Sequence, residues 1–238
     1  PALPVTLPEI VEPARACFSA GADGLHLHLR DGEGRHLLDA GAYREALAEL
    51  RRAVPEMAVQ VTTEAAGVYA PPVQRAVALG SGADLVSVAL REMAAEEAEA
   101  PVFYTACAER GIAVQHILYN AADFDLLARL VPQCLRDAAG VQMIFVLGRY
   151  SDGQESDARD LEPFLKRLAA REAPADWALC AFGRAETACL CAAYAAGGKL
   201  RVGFENSLWH ADGKAARDNA ERVREVVEVC GLGSGWLG

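Results

Sequence analysis

One unit recurs along the whole chain: a short apolar run rich in β-branched residues, then a turn, then an alanine- and leucine-rich amphipathic segment. The runs expected to form strands are Leu25–Leu29, Ala58–Thr62, Leu85–Val88, Ala113–Leu118, Val141–Leu147, Trp177–Ala181 and Leu200–Phe204. Such short, almost wholly apolar runs are typical of parallel strands that are buried on both faces. Repeated strand–helix units connect through right-handed crossovers, so the pattern predicts a parallel sheet covered by helices.

Helical patterns separate these runs, and one more stands at each end of the chain. Clear amphipathic patterns include Pro8–Ala20, Ala42–Val54, Phe124–Leu135, Leu161–Arg171, Glu186–Ala196 and Lys214–Cys230. The full count is eight helices and seven strands, one strand fewer than a (β/α)₈ TIM barrel requires. We expect such an α/β barrel, formed by residues 1–238 as one domain, with its first strand missing from this chain. Either residues upstream of Pro1 supply that strand, or the barrel is incomplete or closed by a partner.

Charge and composition exclude some classes of partner. The chain has 23 Lys and Arg residues against 33 Asp and Glu residues, a net charge of −10, whereas nucleic-acid binding needs clustered basic residues. No apolar run reaches the roughly 18 residues of a membrane span, and the N-terminal segment lacks the pattern of a secretory signal. We therefore expect a cytoplasmic protein that binds neither nucleic acid nor membrane.

Cysteine usage agrees with that location. The seven cysteines are odd in number and lie mostly in apolar, alanine-rich surroundings, which predicts reduced, buried side chains rather than a disulfide framework. Cys189 and Cys191 fall in a helical pattern and face different directions, so we expect no metal there. The glycine-rich tail GLGSGWLG is expected to be flexible.

The strongest local motif is HLHLRDGEGR at residues 26–35. Side chains alternate along a strand, so His26 and His28 point to the same side, about 7 Å apart along the chain. They come at the carboxyl end of the first predicted strand, where barrel enzymes build their active sites. Two imidazoles in this arrangement are able to share a Zn²⁺ ion. The alternative is a pair of core histidines that hydrogen-bond backbone carbonyls.

The last predicted strand offers a third ligand and a cation. In RVGFENSLW, residues 201–209, alternation places Arg201, Gly203 and Glu205 on one face, with Glu205 at the carboxyl end. Two histidines and a glutamate with an open fourth position are typical of catalytic zinc; the alternative is a solvated loop carboxylate. A buried guanidinium needs an anion, so Arg201 either organises the active site or forms a structural ion pair.

Other polar residues lie near the predicted strand ends. Thr62, Thr63 and Ser87 end two strands and are candidate substrate contacts, and Glu64 follows the threonines. The polar stretch 149–160 is expected to be a loop above the strand Val141–Leu147, where loops often carry function.

The remaining histidines carry weaker signals. His116 lies on a predicted strand and is expected to be a core residue, although its orientation is open. His36 and His210 fall in predicted loops and are expected to be solvated.

Together, these features resemble a known family. The segments that carry the resemblance are LPVTLPEI, AGADGLHLHLRDGEGR, AVPEMAVQVTT, VQMIFVLG, ADWALCAFGR and AAGGKLRVGFEN. They resemble the beta-keto acid cleavage enzymes, whose type member is the 3-keto-5-aminohexanoate cleavage enzyme of lysine fermentation. The resemblance implies a zinc-dependent (β/α)₈ barrel, assembled as a homotetramer. It also implies that a β-keto acid and acetyl-CoA are converted to acetoacetate and a new CoA ester.

The motifs also imply residue roles. By this resemblance His26, His28 and Glu205 correspond to the zinc ligands, Arg201 to the active-site arginine and Thr62 to a substrate-binding serine. The bound zinc would polarise the keto oxygen of the substrate.

The departures from the family pattern concern proton transfer. Asn206 stands where the family has the aspartate thought to act as the base, and an amide accepts no proton at neutral pH. Ile117 stands in place of a second glutamate, whereas Glu64 replaces a glycine and is a candidate relocated carboxylate. Two alternatives therefore stay open. One is a different metal-dependent C–C cleavage, of the aldolase or hydrolase kind, with Glu64 or His116 as base, and the other is a metal-binding homologue without activity.

Overall fold

A seven-stranded parallel sheet, curled into a half-barrel, forms the centre of the protein. This computed structural model describes residues 3–232. The strands are β1 (Gly24–Leu27), β2 (Leu29–Arg30), β3 (His36–Leu37), β4 (Ala58–Thr62), β5 (Leu85–Ala89), β6 (Ala113–Leu118), β7 (Val141–Leu147), β8 (Ala175–Ala181) and β9 (Lys199–Leu200). The sheet order is β1-β4-β5-β6-β7-β8-β9, while β2 and β3 pair separately as an antiparallel hairpin. The expected barrel-type α/β fold is confirmed, and β1 and β9 are the two edges of the curled sheet.

Helices follow the strands and cover the outer face of the sheet. They are α1 (Leu7–Ser19), α2 (Ala40–Ala53), α3 (Pro71–Gly80), α4 (Leu90–Met93), α5 (Ala100–Glu109), α6 (Asp123–Leu130), α7 (Gln133–Arg136), α8 (Glu162–Ala169), α9 (Glu186–Ala195) and α10 (Asn219–Val229). Short polar side chains begin several of them: Asp39 accepts from the Ala42 amide at 2.7 Å and Asp218 from the Glu221 amide at 2.8 Å. Each such cap satisfies an amide that the first helical turn leaves without a partner.

Three expected elements differ from the observed ones. The expected helix Phe124–Leu135 is interrupted, because Pro132 has no amide to donate and separates α6 from α7. The last helix begins at Asn219 rather than Lys214. The first strand ends at Leu27, and Leu29 pairs instead with Leu37 of the hairpin.

The last expected strand, Leu200–Phe204, is the largest difference. Only Lys199 and Leu200 belong to β9. The Arg201 amide still donates to the Leu179 carbonyl at 2.8 Å, but the Phe204 amide donates to the side chain of Asn219. A turn held by α10 therefore replaces the strand, and Arg201 and Glu205 do not share a strand face.

Two apolar clusters hold the fold together. The larger lies between the sheet and the helices. The smaller fills the inside of the curl and consists of Ala89, Ile117, Ile144, Val146, Ala178, Cys180 and Phe182. The sheet is thus buried on both faces, as the apolar strand sequences predict.

The prediction that all cysteines are reduced and mostly buried is wrong for three of them. Cys191 in α9 and Cys230 at the end of α10 form a disulfide, because these neighbouring helices bring the two sulfurs together. Cys134 is exposed, and the other four cysteines are buried and free. Most of the GLGSGWLG tail, residues 233–238, lies outside the described residues. Within residues 3–232, no helix has the length and hydrophobicity needed to cross a bilayer.

Candidate metal centre and active site

His26 and His28 stand at the carboxyl end of β1 with their rings turned towards each other. His26 is in the strand, and His28 lies between β1 and the β2–β3 hairpin. Their Nε2 atoms are 3.0 Å apart. Two ring nitrogens at this distance share either a proton or a cation, because facing lone pairs repel.

Glu205 completes the group from the other edge of the sheet. It lies in the turn after β9, and its Oε1 atom is 3.6 Å from Nε2 of His28. The ligand atoms of His26, His28 and Glu205 all lie within 4.8 Å of one another. Two imidazoles and one carboxylate suit a transition-metal ion such as Zn²⁺. The three expected ligands therefore do come together.

An amide chain inside the barrel orients His26. The Nδ1 atom of His26 donates to the side-chain oxygen of Gln60 at 2.7 Å, and the Gln60 amide nitrogen donates to Gln115 at 3.1 Å. Since Nδ1 carries the proton, the lone pair of Nε2 points into the metal centre. Neither glutamine was singled out from the sequence, since a lone glutamine in a strand gives no signal.

The local electrostatics favour the ligand forms of all three groups. Burial, reinforced by the nearby Arg201 guanidinium, holds the pKa of His26 well below its usual value, and burial also lowers the pKa of His28. Burial opposes ionisation of Glu205, but Arg201 and the two histidines outweigh it and lower the pKa of Glu205 to about 2. Neutral imidazoles and an ionised carboxylate are the forms that bind a cation.

Arg201 lies directly beside the centre. Its Nη2 atom is 3.6 Å from Oε2 of Glu205, and its side chain is only 18% exposed. Its Nε atom is buried without a hydrogen-bond partner. One donor of this guanidinium is therefore left for a further acceptor, which agrees with an organising role better than with a purely structural ion pair.

A second carboxylate and a second arginine border the same space. Oε2 of Glu64 is 3.7 Å from Nδ1 of His28, and Oε1 of Glu64 is 3.5 Å from Nη2 of Arg149. The Arg149 guanidinium also stacks on the Phe182 ring at 5.3 Å. Arg149 was not identified individually, although the polar loop that it begins was expected above this strand end.

These groups line one pocket at the carboxyl ends of the strands. Its polar members are His26, His28, Thr62, Glu64, Tyr119, Arg149, Arg201 and Glu205. Its apolar members are Ala89, Ile117, Val146 and Phe182. The pocket thus places a candidate metal centre, two cations and a free carboxylate around a partly apolar space.

The beta-keto acid cleavage enzyme family matches this chain over residues 1–233. The chain belongs to that family. The resemblance seen in the motifs is thereby confirmed.

Two curated relatives cover most of the chain. It is 24% identical over 242 residues to the 3-keto-5-aminohexanoate cleavage enzyme of Acetoanaerobium sticklandii, covering 96% of this chain and 85% of the relative. It is 24% identical over 237 residues to the 3-oxoadipate:acetyl-CoA acetyltransferase of Cupriavidus necator, covering 97% and 82% of the two chains.

Solved structures support the fold assignment. The apo structure of ObcA superposes with a TM-score of 0.71 at 18% identity, covering 95% of this chain and 61% of that one. The ternary complex of ObcA with a C4-CoA adduct and oxalate gives a TM-score of 0.71 over 63% of its chain. This family member thus spans about three fifths of the length of ObcA.

The predicted hydroxyl contacts of this family member separate in space. Thr62 lines the pocket, and its Oγ1 accepts from the Glu64 amide at 3.1 Å. Thr63 is buried and donates to the Ser87 carbonyl at 2.8 Å. Ser87 is also buried and lies beside Thr62 in the sheet register, yet neither Thr63 nor Ser87 is among the pocket-lining residues.

The side chain of Asn206 is directed at the backbone of its own turn. Its amide nitrogen donates to the Arg201 carbonyl at 3.3 Å, and the residue is buried. It is not among the described residues that line the pocket. Asn206 therefore contributes to the shape of the turn that carries Arg201 and Glu205.

The other histidines differ in part from expectation. His116 is a core residue, as expected, with its ring against Tyr104. His36 is not solvated: its ring centroid is 5.3 Å from that of His28, and its Nε2 atom contacts the Glu64 carbonyl at 2.8 Å. Nδ1 of His210 lies 2.9 Å from a carboxylate oxygen of Glu225, because the segment after β9 folds back onto α10.

A buried charge cluster anchors the turn that carries Glu205. Arg222 of α10 is fully buried and contacts Glu186 at 2.5 Å and Glu225. Glu186 also accepts from the Gly203 amide at 3.4 Å, and Glu225 accepts from the Ala211 amide at 2.6 Å. The position of Glu205 in this family member therefore depends on charges at the outside of the sheet.

Proposed function

We propose that this protein is an acyl-transferring enzyme with Zn²⁺ as its cofactor. It cleaves a small β-keto acid with acetyl-CoA and releases acetoacetate and a new acyl-CoA. Family membership and the activities named for the two relatives support the reaction. The observation that carries the proposal is the convergence of His26, His28 and Glu205 on a pocket that also holds Arg149 and Arg201.

His26, His28 and Glu205 would hold the ion. Zinc bound to two imidazoles and one carboxylate supplies a Lewis acid that polarises the keto oxygen of the substrate. The amide chain from Gln60 keeps the correct nitrogen of His26 directed at the ion. Arg201 keeps Glu205 ionised, which is the form in which a carboxylate binds a cation.

The two arginines bind the anionic part of the substrate. A β-keto acid carries a carboxylate, which a guanidinium binds through paired hydrogen bonds. Arg149 reaches the pocket from the loop after β7, and Arg201 lines the pocket beside Glu205. Thr62 adds a hydroxyl within the pocket, while Thr63 and Ser87 support it from the buried side.

Glu64 is the residue that moves the proton. It is the carboxylate of the pocket that does not belong to the three ligands, and the side chain of Asn206 points elsewhere. Arg149 on one side and His28 on the other hold it in place. Glu64 takes a proton from the substrate carbon next to the keto group, and the resulting carbanion attacks the acetyl-CoA carbonyl and displaces the CoA thiolate. The thiolate then attacks the original keto carbon, whose bond to the deprotonated carbon breaks, and the released acetoacetate carbanion takes the proton back from Glu64.

The test is product formation from defined substrates. The zinc-loaded protein is incubated with acetyl-CoA and a panel of β-keto acids, and acetoacetate and acyl-CoA are measured by mass spectrometry. We expect both products in equal amounts and only when acetyl-CoA is present. Glu64→Gln is expected to lower kcat by about 10²–10⁴-fold, with Glu33→Gln, in the β2–β3 turn, as a matched control. Cleavage without acetyl-CoA would indicate the aldolase- or hydrolase-like alternative.

One observation favours a second candidate, a metal-binding homologue without activity. Asn206 and Ile117 replace the two acidic residues that the family resemblance places near the substrate. This candidate predicts stoichiometric metal without turnover of any β-keto acid. Asn206→Asp distinguishes the two: if turnover appears only in this variant, the lost aspartate limits the natural protein.

Two expectations extend the proposal beyond the site. We propose a homo-oligomer, a tetramer by the family resemblance, and a cytoplasmic location. Light scattering of the purified protein gives the mass in solution. Fractionation of the source cells gives the location.

A further inference from the structure

The pocket has one wall that carries no ionisable group. Its members are Ala89, Ile117, Val146 and Phe182, which come from the ends of β5, β6, β7 and β8. Ile117 lies on β6, the middle strand of the sheet, whereas the metal-ligand candidates stand at the edge strands β1 and β9. The candidate ligands therefore lie at the edges of the sheet and Ile117 at its centre, while the Arg149 guanidinium stacks on one member of the wall, Phe182.

The wall is continuous with the apolar filling of the barrel. Ile117, Val146 and Phe182 are at most 8% exposed and pack with Ile144, Ala178 and Cys180. A charged group placed against Ile117 and Val146 would lose its hydration without gaining a partner, which is strongly unfavourable. This part of the wall therefore selects against charge on the part of the ligand that it contacts.

Besides Arg149, which stacks on Phe182, Tyr119 is a polar residue that packs against the apolar cluster to which this wall belongs. Burial raises the pKa of its hydroxyl above the ordinary value, so that it stays neutral. Its ring lies under the Arg91 guanidinium at 5.1 Å, which fixes its orientation. A neutral hydroxyl is able to contact an uncharged ligand but does not compensate an ammonium or a carboxylate.

Each guanidinium of the pocket already faces a carboxylate of the protein. Arg201 is already paired with Glu205, and Arg149 is shared with Glu64. The N–H donors of these guanidinium groups that the protein carboxylates leave free are able to bind the single carboxylate of a β-keto acid. A second carboxylate, further along the substrate, would lie beyond them.

From these observations we infer that the substrate is a β-keto acid whose substituent beyond the keto carbon is uncharged and apolar. The inference rests on the proposed function and narrows it to a substrate class. The substrates named for the two relatives, 3-keto-5-aminohexanoate and 3-oxoadipate, instead carry an amine or a second carboxylate there. The substituent R packs against Ile117 and Val146 while the carboxylate meets the arginines.

The reaction balances with any such substituent. In R–CO–CH₂–COO⁻ the bond between the keto carbon and the CH₂ group breaks. A new bond forms between that CH₂ group and the acetyl carbon of acetyl-CoA, and the CoA thiolate takes the R–CO group. The products are acetoacetate and R–CO–SCoA, with no oxidant or reductant required.

The test compares substrates that differ in charge at one end. 3-Oxohexanoate, 3-oxoadipate and 5-amino-3-oxohexanoate share the same carbon skeleton. We expect kcat/KM for 3-oxohexanoate to exceed the values for both charged compounds by about 100-fold or more. Equal or better turnover of either charged compound would overturn the inference while leaving the proposed reaction intact.

A variant pair checks that the wall is responsible. Ile117→Ala enlarges the pocket and is expected to shift the preference from 3-oxohexanoate towards 3-oxooctanoate by about 10-fold. Ile144→Ala removes the same atoms from the same cluster outside the pocket lining, and the preference is expected to stay unchanged. An unchanged ratio in Ile117→Ala, with the fold intact by circular dichroism, would contradict the assignment.

A binding measurement separates this inference from the reaction itself. Calorimetry of the zinc-loaded protein gives the Kd of each keto acid without acetyl-CoA. If no acyl transfer occurs with any substrate, the proposed function fails, and the Kd ratio still decides the inference. Tighter binding of 3-oxohexanoate supports it, and equal or tighter binding of the charged compounds refutes it.

Discussion

The Nδ1 atom of His26 lies 2.7 Å from the side-chain oxygen of Gln60, which in turn hydrogen-bonds Gln115 across the interior of the barrel. This contact determines which nitrogen of His26 faces His28 and Glu205. The metal centre therefore depends on two uncharged side chains that do not themselves reach the ion.

Replacing Gln60 is expected to weaken metal binding. In Gln60→Leu the ring of His26 loses the acceptor that fixes its tautomer, so the Zn²⁺ affinity should fall by about 10–100-fold. Competition with a chromogenic chelator measures this. The control is Gln142→Leu. Gln142 lies on β7, next to β6, and outside the hydrogen-bonded pair of glutamines. Equal affinities in the two variants would show that Gln60 does not orient the ligand.

Removing a ligand is expected to empty the centre. We expect about one zinc ion per chain in the natural protein and almost none in His28→Ala, because two ligands seldom retain zinc. Elemental analysis after gel filtration gives the stoichiometry. His116→Gln changes a buried histidine outside the pocket and should retain the metal. A natural protein without metal after zinc is supplied would refute the catalytic proposal.

Disrupting the buried charge cluster is expected to be costly for stability. Arg222→Met leaves Glu186 and Glu225 without their shared cation, at a cost of about 3–5 kcal/mol in the free energy of unfolding. Urea denaturation followed by circular dichroism measures the change. The double variant Arg222→Met with Glu186→Gln should recover part of the loss. If it is no more stable than the single variant, unpaired charge is not the cause.

The lowered pKa of His116 predicts how the free energy of unfolding changes with pH. Burial, with Arg171 nearby, lowers the pKa of His116 from 6.5 to about 3. Between pH 3 and pH 6.5 the His116 side chain binds a proton only in the unfolded chain. The stability that the neutral, buried side chain contributes is therefore complete above pH 6.5 and is lost as the pH falls towards 3. The loss from this residue is about 2 kcal/mol at pH 5. His116→Gln should flatten the dependence of unfolding free energy on pH between 6.5 and 5, and an unchanged slope would contradict this.

Much of the fold follows from local pattern. The strands Ala58–Thr62, Ala113–Leu118 and Val141–Leu147 were predicted with their observed bounds, because buried parallel strands are mostly apolar and end at turns. The segment after Leu200 has the pattern of a strand and was predicted as one, but it forms a turn. There the Phe204 amide donates its hydrogen bond to the side chain of Asn219, on a distant helix. The local sequence around Phe204 does not indicate that a residue so far along the chain competes for its hydrogen bond.

The residues of the site also divide into those that the sequence predicted and those that it did not. His26, His28 and Glu205 were predictable because their residue types and motif spacing are unusual at strand ends. Gln60 and Arg149 were not, because their roles arise from neighbours on other strands. The disulfide between Cys191 and Cys230 joins two cysteines 39 residues apart in sequence and depends on the packing of two helices, which spacing alone does not reveal.

The candidate ligands also bridge the two ends of the sheet. Within residues 3–232 the edge strands β1 and β9 do not pair with each other, yet His28, just beyond one edge, and Glu205, just beyond the other, approach to 3.6 Å. An ion held there would act as a clasp that joins the beginning and the end of the sheet. Because binding to the closed form alone stabilises that form, we expect metal occupancy and the curvature of the sheet to be thermodynamically linked.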